Sequence, residues 1–167
     1  MVSGQDGFNR AVQAASLTVT TLTTPVATTI VPGAVDAPLA SVQFNASSSG
    51  EPVQVSSLVV TDTKGTNAVY TDVYNLVMKD ASGQVLTTTS STTTNANTVT
   101  FDFTNPIMVN ATTPVTAYLY GSVISGATAG SGANYAHTFK VSSVTATGAT
   151  TGNSIGSPSY VGSGQVS

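Results

Sequence analysis

At 167 residues, with 40% hydrophobic and only 7% charged positions, the chain carries enough apolar material for one cored domain and far less charge than the roughly 25% of an average soluble protein. Its hydrophobic fraction and net charge of −3 exclude a disordered polyelectrolyte, and the scattered Arg10, Lys64, Lys79 and Lys140 leave no basic footprint for nucleic acid. The absence of Cys removes a disulfide frame and thiolate chemistry, and no apolar run approaches the ~18 residues of a membrane span. Polarity comes instead from 29 Thr and 21 Ser. That hydroxyl-rich composition points to an exported protein, with Met1 in place of a removed leader.

Residues 1–16 form an arm in which Phe8, Ala11, Val12 and Ala15 recur at helical spacing; a short helix or a mobile arm fits equally. From Leu17 the pattern becomes β-branched alternation, through 17–20, 26–31 and the one-faced set Ala40, Val42 and Phe44, with Pro25, Pro32-Gly33 and Pro38 as breakers. Residues 53–63 predict a long strand whose apolar phase slips between Val55 and Leu58, as a bulge or a crossing between sheets requires. Residues 69–79, the turn Asp80-Ala81-Ser82-Gly83 and residues 84–89 predict a hairpin.

The Ser/Thr/Asn run 90–97 reads as a loop, or in part as an extension of the hairpin, since Thr is a good strand former. Val99, Phe101 and Phe103 alternate, Asn105-Pro106 predicts a turn, and Val115, Ala117 and Leu119 alternate against Thr116, Tyr118 and Tyr120. After the glycine-rich loop 126–132, Phe139 and Val141 open a final core strand reaching about Thr147. The tail beyond is rich in Gly and Ser, with Ile155, Tyr160 and Val161 as its anchors. Many short strands and almost no helical pattern predict an antiparallel Ig-like or jelly-roll β-sandwich over 17–152, preceded by the arm 1–16 and followed by the tail 153–167.

The stretch Val55-Ser56-Ser57-Leu58-Val59-Val60-Thr61-Asp62-Thr63, with Asp72-Val73-Tyr74-Asn75-Leu76-Val77-Met78-Lys79-Asp80, Val99-Thr100-Phe101, Pro106-Ile107 and Val144-Thr145-Ala146-Thr147-Gly148, resembles repeat modules in large surface proteins of uncultivated, small-genome bacteria. The resemblance spans roughly residues 17–152. It implies an Ig-like sandwich in a cell-wall, surface-layer or appendage protein, and it carries over no catalytic residue.

The chemistry-bearing residues are few. His137 is the only histidine, and its phase matches Phe139 and Val141, yet its place at a strand entrance beside a glycine-rich loop predicts a partly exposed strand-end residue. No run of acids spaced for calcium occurs; Asp62 and Asp72 are the best pair for a Ca²⁺ assembled from distant segments, and turn capping with solvation is the expected role for both. No cofactor is otherwise implied. Lys79 and Lys140 lie in strands as isopeptide-forming lysines of adhesins do, but with one Glu in the chain ion pairs or exposed edge lysines are the expectation.

Tyr118 and Tyr120 share one strand face, opposite Leu119, and are the candidate ligand or interface contacts, against packing beneath a neighbouring strand. The expected function is therefore non-enzymatic: an extracellular structural module of a surface layer, stalk or filament, with neighbouring copies or repeats as partners. The alternative is an adhesin or carbohydrate-binding module that takes a polysaccharide. If copies assemble, the arm or the tail is expected to add a strand to a neighbour's open sheet edge.

Overall fold

A computed structural model describes residues 13–26, 29–88, 97–127, 133–156, 158–162 and 165–166. The strands are β1 (Thr18–Thr21), β2 (Ala37–Asn45), β3 (Val53–Lys64), β4 (Val73–Lys79), β5 (Val85–Thr88), β6 (Thr98–Val109), β7 (Val115–Val123), β8 (His137–Gly148), β9 (Ser159–Val161) and β10 (Gln165–Val166). They form two sheets, ordered β5-β4-β7-β2-β1-β9 and β10-β8-β3-β6. The protein is an all-β sandwich. Among the described residues no helix is long and apolar enough to cross a membrane.

Alternation builds the core. Val19, Val42, Phe44, Leu76, Met78, Ala117 and Leu119 point inward from the six-stranded sheet and meet Val53, Val55, Leu58, Phe101, Phe139 and Ala146 from the other. Phe44, Phe101 and Phe139 are fully buried, each worth about 2–3 kcal/mol of transfer from water. Most inter-strand connections pass from one sheet to the other, so side chains near the strand ends come from both layers.

The phase slip in β3 is a bulge and not a crossing, because the register shifts between Val55 and Ser57 against both β6 and β8 within one sheet. On β6 the same interval runs from Asp102 to Ile107, five steps against two on β3. Asn105-Pro106 therefore does not turn the chain: it lies in this bulge on an edge strand, where the missing proline N–H costs no ladder bond, and Ile107 and Val109 return to the core in phase with Phe103. Pro38 likewise lies inside β2, exposed at a register shift and beyond the residues that β1 pairs, and does not break the strand. Residues 26 and 29–31 are not in a strand, and Val26 and Val31 are exposed.

The predicted hairpin is β4-β5, with Val77 opposite Thr88. Its first arm starts later than expected, because Tyr70–Asp72 forms a 3-10 turn. Residues 13–16 are not helical, although Ala15 packs on the core; the remainder of the proposed arm helix, the Ser/Thr/Asn run at 90–96 and the loop at 128–132 lie outside the described residues. The tail is not only a tail. It supplies β9, which joins β1 in parallel, so the sandwich is not purely antiparallel, and β10, which joins β8.

Candidate functional site

Among the described residues, two places bring chemistry-bearing side chains together. The first is the outer face of the six-stranded sheet. Leu119 is buried, so the pleat turns Tyr118 and Tyr120 outward on β7, where both are half-buried. Tyr120 lies opposite Pro38 on β2 and Val77 on β4, and Tyr118 lies opposite Ser41 and Lys79. Tyr74 extends the same face one row further, opposite Ser122. The two rings thus share the predicted face, and Ser41 beside Tyr118 is buried there with its hydroxyl donating to the Thr24 carbonyl.

Lys79 orders this face. Its Nζ lies 4.4 Å from the centroid of the Tyr120 ring and donates to both carboxylate oxygens of Asp36, at 2.6 and 2.5 Å. Asp36 holds a positive φ of 54° at the entrance to β2, and its N–H donates to Ser122 Oγ. The cation lies over the face of the ring and holds it, a contact worth about 1 kcal/mol at a partly exposed site. The result is a shallow aromatic surface, with Val77 and Pro38 as its apolar margin and one ion pair as its polar margin. Aromatic rings with an adjacent hydrogen-bonding group suit either a protein contact or a sugar ring. Lys79 is an ion-paired strand lysine and Lys140 is exposed.

The second place is internal. His137 is 7% exposed, which corrects the partly exposed strand end expected for it. It sits beside Phe139 in a stacked arrangement, with centroids 6.2 Å apart, and its Nδ1 is 2.8 Å from Asp62 Oδ2. The two side chains share this one hydrogen bond, whose donor is set by the tautomer of the ring. His137 Nε2 lies 3.9 Å from Asp72 Oδ2, beyond hydrogen-bond reach.

Asp72 caps the 3-10 turn as predicted, accepting the Val69 N–H at 2.8 Å, but both it and Asp62 are buried and not solvated. Asp62 Oδ1 and His137 Nε2 have no hydrogen-bond partner among the described residues. Gly65 makes room for the neighbouring loop: a Cβ there would lie 2.3 Å from the Ala133 carbonyl oxygen.

The cluster joins the two layers, since Asp62 and His137 belong to β3 and β8 while Asp72 leads into β4 of the other sheet. A His held by a carboxylate is the orienting half of a hydrolytic triad, but no hydroxyl of the described residues bonds to its free nitrogen. Among the described residues no group of three or more His, Cys, Asp and Glu is arranged to hold a metal ion. The arrangement is that of a buried polar pin.

Its one sequence signal was the phase of His137 with Phe139 and Val141; nothing along the chain links Asp72 to it. Comparison with known protein families, curated proteins and solved structures gives no match.

Proposed function

We propose that this chain is an extracellular structural module that associates with copies of itself in a surface layer, stalk or filament. The observation that carries this reading is the tyrosine face: Tyr74, Tyr118 and Tyr120 stand half-exposed on one sheet surface beside Val77 and Pro38, with Lys79 and Asp36 holding the ring of Tyr120 in place. Tyrosine is enriched at protein interfaces because its ring buries a large apolar area while its hydroxyl keeps a partner.

Two further features agree with it. The outer face of the four-stranded sheet exposes Thr98, Thr100, Thr104, Ser142, Ser143 and Thr145, so both broad surfaces carry few charges. With a net charge of −3 on 167 residues, self-repulsion between copies is weak. The resemblance to repeat modules of bacterial surface proteins supports the same role and an extracellular place.

Sedimentation velocity on the intact chain and on a Tyr118→Ala/Tyr120→Ala variant tests this reading. Association that rises with concentration in the parent and is lost in the folded variant is expected; equal behaviour of the two would remove the tyrosine face from the account. The second reading, a carbohydrate-binding module, rests on the same rings. It predicts polysaccharide binding on a glycan array by a monomeric chain, abolished by the same pair of substitutions.

A further inference from the structure

The last strands close one side of the sandwich by touching both sheets. β9 pairs with β1, Thr18 opposite Ser159 and Val19 opposite Tyr160, and β10 pairs with β8, Gln165 opposite Phe139. On that side the sheets leave a narrow apolar cleft lined by Thr21, Ala40, Val42, Val60, Phe139 and Val141.

The hold of β9 is almost wholly main chain. All three of its side chains are exposed, Tyr160 by 41% and Val161 by 51%, so these two do not anchor the tail by burial as predicted. Tyr160 contributes instead by its hydroxyl, which accepts the Val144 N–H at 2.9 Å. Gly162, at φ +102°, passes so close to β1 that a Cβ would lie 2.5 Å from the Thr21 carbonyl oxygen. A strand held by main-chain bonds and one side-chain hydroxyl is bound by contacts that an identical strand from another copy reproduces in full.

The residues just before it are fixed. Glu51 accepts the N–H groups of Thr150 and Thr151, Thr147 bridges Ser154, and Ile155 donates to the Ala146 carbonyl and packs on the core. That anchoring ends at Gly156, which is exposed and has open space around its Cα, so the chain can change direction there at no steric cost.

We propose that β9 and β10 are an exchangeable segment that docks on the β1 and β8 edges of a second copy of this chain. The inference rests on the self-association read above and names a contact for it. Reciprocal exchange closes a dimer, while sequential exchange from copy to copy builds an open chain. The fixed turn before Gly156 stays with its own domain in either case.

Because the chain has no Cys, engineered thiols report the contact without background. Thr18→Cys and Ser159→Cys chains, mixed in equal amounts, incubated at high concentration and oxidised, are expected to give the mixed covalent dimer on the order of tenfold above the two like dimers, as docking raises the local thiol concentration. Adding Gly162→Val to the Ser159→Cys chain blocks the approach to Thr21 and is expected to abolish that excess, while circular dichroism shows the sandwich still folded.

A mixed dimer at only its statistical share overturns the proposal, and so does an excess that survives Gly162→Val. If pairing is statistical while the same sample still associates in sedimentation, exchange of the tail is refuted and the self-association reading stands on other contacts.

Discussion

Asp62 and His137 are both buried, and among the described residues each is the other's only side-chain hydrogen-bond partner. Removing one leaves the other unpaired inside the sandwich. His137→Leu is therefore expected to destabilise by about 3 kcal/mol, more than an isosteric loss of packing would, because the buried Asp62 side chain is left without its hydrogen-bond partner. Urea denaturation checks this, and a shift of the midpoint no larger than that of an exposed-threonine control would contradict the pin.

Glu51 acts at the surface, where the Thr151 hydroxyl first, and then the Thr151 and Thr150 N–H groups, hold its carboxyl below the ordinary value of 4.5. A carboxyl depressed in the folded state stabilises fully above its unfolded value and loses that contribution as pH falls through its folded one. The Thr150 and Thr151 amide resonances are thus expected to move together below about pH 4.5, and Glu51→Gln to remove that step. Separate, unlinked movements would show that Glu51 does not clamp the turn. At this scale the sequence is least informative: the inward phase of His137 is visible beside Phe139, but its neighbours Asp62 and Asp72 lie 75 and 65 residues earlier in the chain.

Among the elements, strands were legible wherever β-branched and aromatic residues alternate, without interruption in β7 and on either side of the shift at Ser142-Ser143 in β8. Prolines misled, since Pro38 and Pro106 lie where no partner strand requires their N–H, so each sits in a strand that its residue type alone would end. The β4-β5 hairpin was readable from its turn chemistry. Asp80 Oδ1 accepts from the Ser82 hydroxyl and from the Ser82 and Gln84 N–H groups, and Gly83 holds φ +85°. Gly83→Ala meets open space but not an allowed backbone, and is expected to cost about 1 kcal/mol of stability, measured by thermal unfolding. An unchanged or raised melting temperature would contradict the turn geometry.

For the whole molecule, the two sheet surfaces divide the work of staying in water without charge. One is a hydroxyl lattice of Thr and Ser with Asp102 and Lys140 as its charged residues; the other carries the tyrosine face. An association built on rings and main-chain pairing is expected to persist from low to high salt, because few exposed charges are available to screen. Sedimentation at both limits checks this, and dissociation at high salt would point to ion pairs instead. The alternation of Tyr118 and Tyr120 about Leu119 made the shared face readable, whereas Pro38 and Val77 at its margins come from other strands and Asp36 from the residue before β2.

Negative-stain electron microscopy of the intact chain across protein concentration tests self-association most directly. Regular fibres or sheets that grow with concentration are the expected result, and dispersed single particles at every concentration would contradict it.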